Sequence, residues 1–181
     1  MARVLIVYST VDGHTPEICA RIRQRLDDKA FDVSVEELTA DSAHDLSAFD
    51  AVLIGASIRY GKHRPDVAKL IEKEVEVLRS RPSAFFSVNA VARKPEKRDA
   101  ETNPYVRKFL KAISWQPALV GVFGGKIDYP KYGAFDRTMI RFIMWMTKGP
   151  TDPTGTFEFT DWDQVDRFAE AFAAGIGTKQ S

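Results

Sequence analysis

Short apolar runs alternate with stretches of helical periodicity along this chain. RVLIVY (3–8), DVSVEEL, DAVLIGAS (50–57), SAFFSVN and ALVGVFGG (118–125) have the length and β-branched content of strands, the second being the most polar. Between them the apolar positions recur at helical spacing. Ile18, Ile22 and Leu26 share one face of PEICARIRQRLDDKA, and Val67, Leu70, Ile71 and Leu78 share one face of a helix from about Pro65 to Ser80. Val106, Phe109, Leu110 and Ile113 do the same near 103–113, and a last helix starts at TDWDQV and runs through Phe168 and Phe172. Strands alternating with helices predict an α/β domain with a parallel sheet. Thr15, followed by Pro16, is placed to cap the first helix, and Thr160, answered by Asp163, the last. With no repeat or low-complexity tract, residues 1–181 read as a single domain.

One segment is left over. About thirty residues, Gly125 to Gly155, separate the fifth strand from the last helix, where connections of two to six are usual. It contains FDRTMIRFIMWMTK (135–148), a predicted helix with Phe135, Met139, Phe142, Ile143 and Met146 on one face and Arg137, Arg141 and Lys148 on the other. The run is too short and too charged to span a bilayer. It fits a core helix, a membrane-surface helix or the wall of a site for a large apolar anion. GTFEFT (155–160) reads as a continuation of the fifth strand.

Charge sharpens this picture. The net charge is +1, yet residues 93–111 carry +4 and residues 121–150 carry +3, which leaves −6 for the rest. An acidic body with two basic patches suits a particular anionic partner and argues against nucleic acid. The single cysteine, Cys19, excludes an internal disulfide, sits among apolar helix positions as packing, and fits a reducing, cytoplasmic setting. The five-residue apolar run at the N-terminus is too short for a signal-peptide core. His14, His44 and His63 stand far apart, without metal-ligand spacing, and are expected to be solvated or capping. Trp115, Trp145 and Trp162 read as core or interface aromatics.

STVDGHT (9–15) follows the first strand directly. The hydroxyls of Ser9, Thr10 and Thr15 surround Gly13 at a helix start, an arrangement that wraps one phosphate with hydroxyls and backbone N–H groups. Neither a G-x-G-x-x-G nor a Walker loop is present, so a monophosphate is the expected ligand. Tyr129 and Tyr132, in DYPKYG, either anchor a proline turn or touch a ligand.

T-x-D-G-x-T after a first strand, five strands and an interrupted fifth strand resemble the flavodoxin family. The resemblance implies a doubly wound sheet of order 2-1-3-4-5, with the insertion at about 125–155 interrupting or following strand 5, and FMN at the carboxyl ends of the strands. It assigns cofactor contacts to Ser9, Thr10, Asp12, Gly13, His14 and Thr15 around the phosphate, and to Ala56, Ser57, Ile58, Arg59, Tyr60 and Gly61 after the third strand. Asn89, Val91 and Ala92 after the fourth strand and Gly124 and Gly125 after the fifth complete the set. Asp12 stands where flavodoxins commonly have Thr, and an acid beside a phosphate is unfavourable unless it turns to cap amides.

GASIRYG, SVN-x-VARKPEKR, KFL followed by W-x-P, and YP-x-Y…DR-x-MI narrow the likeness further. Over about residues 3–172 they resemble the menaquinone-dependent protoporphyrinogen IX dehydrogenase family of bacterial haem synthesis. What that implies is an FMN enzyme that oxidises protoporphyrinogen IX and passes electrons to menaquinone or another quinone, at the cytoplasmic face of the inner membrane. The flavin would carry the hydride chemistry, so no catalytic side chain and no metal is assigned. Cations suited to the substrate's propionates are Arg93, Lys94, Lys97, Arg98, Lys126, Lys131, Arg137 and Arg141, with Tyr129 beside them. A flavodoxin-type electron carrier is the first alternative, disfavoured by basic rather than acidic loops, and an NAD(P)H-quinone reductase the second.

Overall fold

In β1 (Arg3–Ser9) the consecutive residues Val4, Leu5, Ile6 and Val7 are all fully buried in the computed structural model of the protein, which describes residues 1–179. Neighbours along a strand point to opposite faces, so a strand buried at every position must be covered on both sides. Val4 and Ile6 pack with Ile18, Cys19, Ile22 and Leu26 of α1 (Thr15–Asp27) and with Val165, Phe168 and Phe172 of α6 (Trp162–Lys179). Leu5 and Val7 pack on the other side with Val67, Leu70 and Ile71 of α2 (Pro65–Lys73), Leu78 of α3 (Val75–Ser80) and Trp115. Burial accordingly pushes the Cys19 thiol well above its usual range. Arg21 and Arg25 of α1 both bind the Asp166 carboxylate of α6, at 2.6–2.7 Å, which fastens the two helices together.

Parallel pairing joins β1 to β2 (Asp32–Glu37) and β3 (Ala51–Arg59), β3 to β5 (Ser83–Asn89), and β5 to β6 (Leu119–Gly124). The order is β2-β1-β3-β5-β6, which is 2-1-3-4-5 when parallel strands alone are counted. Between β3 and α2 lies the short strand β4 (Lys62–His63), antiparallel to the end of β3 with Ile58 opposite His63. The two-residue loop of this hairpin, Tyr60 and Gly61, has φ of 52° and 78°. Positive φ at both positions is what a type I′ turn demands, and for a tyrosine it is an uncommon conformation.

The helix expected over Pro65–Ser80 bends at Glu74, where φ is −107° and ψ 17°, and so becomes α2 and α3. Val75 and Val77 disfavour helix at the bend, while bonds from Glu74 N to Leu70 O and from Leu78 N to Glu74 O carry the chain through it. α4 (Pro104–Ala112) is capped by Asn103, whose Oδ1 accepts from Val106 N.

The segment after β6 departs from the sequence reading. Residues 155–160 do not extend the fifth strand of the parallel sheet. β8 (Thr156–Glu158) pairs antiparallel with β7 (Lys126–Asp128) in a separate ribbon, with Lys126 opposite Glu158 and Asp128 opposite Thr156. Gly124 makes this possible, because a Cβ there would lie 2.3 Å from the Phe159 carbonyl oxygen. Between the ribbon strands runs α5 (Ala134–Met146), which shares a small separate core with Ile127, Tyr129 and Tyr132 through Met144, Ile140 and Ile143. The last helix is capped by Asp161, whose Oδ1 accepts from Gln164 N at 3.1 Å, and not by Thr160, whose hydroxyl donates to Gly124 O at 2.7 Å.

Candidate functional site

The carboxyl ends of β1, β3 and β5 open into a cleft of about 560 Å³. One end of it is the loop between β1 and α1. Gly13, with φ 79°, turns the chain there and its N–H donates to Thr10 Oγ1 at 3.0 Å, while Val11 N donates to Ser57 Oγ at 3.1 Å. Thr15 does not cap α1. Its residue is fully buried, it lines the cleft, and its Oγ1 has no hydrogen-bond partner in the chain. A buried orphan hydroxyl at the positive end of a helix fits a bound phosphate.

Asp12 is held by Arg59 rather than turned to cap amides. Arg59 also reaches Asp136 of α5 at 3.3 Å and lies over the Tyr132 ring, 5.5 Å from its centroid. The Tyr60 hydroxyl donates to Asp136 as well. The hairpin after β3 therefore ties the phosphate loop to the start of α5, and the strained Tyr60 backbone is held by that contact. At the other end of α5, Arg93 donates to Thr147 O at 2.8 Å, to Thr147 Oγ1 at 2.9 Å and to Ala90 O at 3.0 Å. Helix α5 is thus fastened across the cleft at both ends, and its polar side includes the acid Asp136, which the cationic reading of that face passed over.

Of the expected cofactor contacts, Thr10, Asp12, His14, Thr15, Ser57, Ile58, Arg59, Tyr60, Gly61, Asn89, Val91 and Gly125 line the cleft. Gly13 lines a smaller polar pocket of about 280 Å³ on the far side of Asp12 and Arg59. Ser9, Ala56, Ala92 and Gly124 are buried beneath the cleft, where Gly124 serves the close approach of Phe159 and Ala92 N donates to Asn89 Oδ1.

The expected substrate cations divide more sharply. Lys126 lines both cavities, and Lys131 lines the polar one beside Asp128, at 3.3 Å. The rest lie outside the cleft lining. Arg98 binds Ala92 O and Asp161, Arg137 donates to Tyr129 O and Tyr132 O, and Arg141 donates to Thr151 O at 2.9 Å. Arg93 is spent on Thr147 as described, and Lys94 and Lys97 sit in the turns that follow it. Tyr129 is fully buried with its hydroxyl on Pro150 O, the proline-turn reading of the two offered. With Arg59 committed to two carboxylates, Lys126, though across the ribbon from Glu158, is the cleft-lining cation that makes no close ion pair among the described residues.

Met139, Ile143 and Met146 of the apolar face of α5, and Tyr132, line the cleft as two of the sequence readings allowed, whereas Val88, Ala90, Tyr105 and Ile127, Ile140 and Met144 of α5, and Thr147 just after it were not foreseen. Helix α5 is apolar on two sides. One side walls the cleft, and the other exposes Phe135 (73%), Phe142 (52%), Trp145 (69%) and Met146 (60%). Of the histidines expected to be solvated or capping, His14 holds the N-cap position of α1 without a side-chain cap, and neither it nor His44 is solvated. His14 is buried, with Nε2 2.7 Å from Thr160 Oγ1, and burial lowers its pKa against the pull of Glu17 and Glu158. His44 bonds Glu36 at 2.5 Å and Ser42 at 2.8 Å. The fold also brings the ligand atoms of His14, Glu17 and Glu158 within 4.8 Å of one another, a proximity that sequence spacing hides.

The flavodoxin-domain profile matches residues 5–154. A protoporphyrinogen IX dehydrogenase [quinone] from Leishmania major is 46% identical over 173 residues, covering 95% of this chain and 75% of the relative. The protein of that name from Escherichia coli K12 is 42% identical over 171 residues, covering 94% of each chain. The chain belongs to the quinone-dependent protoporphyrinogen IX dehydrogenase family. A solved mutant flavodoxin of Fusobacterium nucleatum, bound to flavin mononucleotide, shares the fold with TM-score 0.52 at 12% identity, covering 99% of this chain and 97% of that one.

Replacing Thr15 by Val separates ligand from fold. Removing an unpaired buried hydroxyl is expected to leave the cofactor-free melting temperature unchanged or slightly raised. Losing a hydrogen bond to a charged group costs about 1.5–3 kcal/mol, so FMN affinity should fall roughly 10- to 100-fold. Fluorescence titration and calorimetry read the two effects.

Proposed function

We propose that this protein is an FMN-dependent oxidoreductase that converts protoporphyrinogen IX to protoporphyrin IX and delivers the electrons to a quinone. The observation that carries the reading is the continuity of one cleft from the orphan Thr15 hydroxyl to the apolar wall of α5. A phosphate end and a flavin-sized slot take the cofactor, and the Met- and Ile-rich wall leaves apolar surface for a macrocycle or a quinone. When bound, FMN supplies hydride acceptance and electron release. The chain's own part is placement. Thr10 and Thr15 at the start of α1 hold the phosphate, Tyr60 and Asn89 bound the slot, α5 excludes water, and Lys126 attracts a propionate. Anaerobic mixing of the protein with protoporphyrinogen IX and a menaquinone analogue should raise porphyrin fluorescence, and NAD(P)+ in place of quinone should not. Fluorescence with NAD(P)+ alone would overturn the assignment.

We also propose that the protein works as a peripheral protein on the cytoplasmic face of an anionic membrane. No helix among the described residues is long and apolar enough to cross one. What supports surface contact is the outward side of α5, where Phe142 and Trp145 lie with ring centroids 6.1 Å apart and Met146 is both exposed and part of the cleft rim. A quinone dissolved in lipid would enter over that rim, and interfacial Trp favours such a position. Burying two such aromatic side chains is worth about 1.5–3 kcal/mol each, so Phe142→Glu with Trp145→Glu should cut partitioning onto phosphatidylglycerol vesicles at least about 100-fold. Activity with a water-soluble quinone should persist. Unchanged sedimentation with vesicles would exclude this surface.

A further inference from the structure

His63, half-buried in the β3–β4 hairpin, does not line the cleft. Its ring packs 4.5 Å from Phe109 and 5.7 Å from Phe85, centroid to centroid, and its Nε2 lies 2.9 Å from Ser87 Oγ. Ser87, Asn89 and Asn103 are all buried, and together with His63 they form a chain of polar groups between the two loops that bound the slot.

The direction of that chain follows from its ends. Asn103 Oδ1 accepts from Val106 N at 3.3 Å, so Asn103 Nδ2 is the group that donates to Asn89 Oδ1, at 3.0 Å. Asn89 Oδ1 also accepts from Ala92 N at 3.0 Å, which leaves Asn89 Nδ2 to donate to Ser87 Oγ at 3.3 Å. Ser87 Oγ, having accepted once, keeps one proton and one lone pair, and among the described residues His63 Nε2 is the acceptor left for that buried proton. The imidazole must then be neutral with its proton on Nδ1. Burial favours that state, pushing the His63 pKa down to about 4.

We propose that His63 is a positioning residue for the flavin: as the acceptor that ends this directed chain, it locks the loop after β5 to the hairpin after β3 and so sets the spacing of the slot. His63 pairs with Ile58 across the hairpin, and both Ile58 and Asn89 line the cleft. Removing the acceptor leaves the Ser87 proton unpaired in a buried site and frees both loops by the same event. This inference rests on the reading that the cleft holds FMN.

Three variants test it. His63→Phe keeps a ring between Phe85 and Phe109 but removes the acceptor, Ser87→Ala removes the link, and His63→Gln offers an acceptor oxygen in place of Nε2. Wild-type protein must first take up FMN from solution, and failure there defeats the cofactor reading itself. Given uptake, His63→Phe and Ser87→Ala should each weaken FMN binding about tenfold. The double variant should be no worse than either single one, because both cut the same chain. The midpoint potential of bound flavin should move by about 30 mV, the equivalent of a tenfold difference in affinity between its oxidised and reduced forms. His63→Gln should recover most of both. Wild-type affinity and potential in His63→Phe and Ser87→Ala would overturn the proposal, as would additive effects in the double variant or no recovery with Gln. Should His63→Phe not fold, Ser87→Ala against His63→Gln carries the same test.

Discussion

Replacing residues 129–155 by Asn-Gly is expected to leave a folded, FMN-binding domain that no longer oxidises protoporphyrinogen IX. The geometry dictates the design. Asp128 faces Thr156 across the β7–β8 ribbon, so a two-residue type I′ turn closes it without altering register. The main cores on either side of the sheet draw on nothing between Phe123 and Trp162, so removing α5 costs only the small cluster around Ile127, Tyr129, Tyr132 and Met144. Thr10, Thr15, Ser57, Tyr60 and Asn89 stay in place to hold FMN, and Arg59 keeps Asp12 while losing Asp136. What disappears is the apolar wall of Met139, Ile140, Ile143, Met144 and Met146. A macrocycle with no wall to lie against loses its orientation relative to the flavin, and porphyrin formation should fall at least about 100-fold. Porphyrin fluorescence, flavin content and a melting curve measure the three outcomes. A variant that unfolds would make α5 part of the fold, and one that retains turnover would move the substrate elsewhere.

The sheet and the hydroxyl-rich turn after β1 were legible because their signals are local. Val4 to Val7 announce a doubly covered strand, and STVDGHT announces a helix start rich in hydroxyls. The side-chain partners of the arginines were not legible. Arg93 and Thr147 are 54 residues apart, and Arg59 and Asp136 are 77 apart, so no window on the sequence joins them. A clue was present all the same. Arg93 and Arg98 follow a strand end in a run of tight turns, where exposed carbonyls need donors, and a guanidinium there goes to backbone before it goes to ligand. Periodicity also misjudged α5, because a single hydrophobic stripe was sought on a helix that has two. Phe142 and Trp145 face out while Ile140, Ile143 and Met144 face in, and an apolar arc this wide on a helix inside an insertion is itself the signal for two apolar contacts. The same Gly124 that reads as a flavin-loop glycine is needed for the approach of Phe159, a contact set by tertiary pairing alone.

Acid should destabilise the protein in a window set by His63. Its unfolded pKa is about 6.5 and its folded value about 4, lowered by burial between Phe85 and Phe109. Between these values the unfolded chain binds the extra proton and the folded chain does not, so stability rises with pH there and is lost as pH falls from about 6.5 towards 4. The full displacement corresponds to about 3 kcal/mol by pH 4, a large share of the stability of a domain this size. His14, also lowered by burial, acts in the same direction. The Asp166 carboxylate, held well below its usual range by Arg21 and Arg25, is lost only below pH 3.8 and does not enter this window. Urea unfolding of FMN-free wild type and His63→Phe at pH 7.5, 6, 5 and 4 should therefore show two slopes. Wild type should lose about 3 kcal/mol more than the variant across the series. The variant cannot take up a proton at this position and should keep only the shallower dependence of His14. Parallel curves would mean that His63 titrates near its unfolded value, that the ring is hydrated in solution, and that Ser87 donates its proton elsewhere.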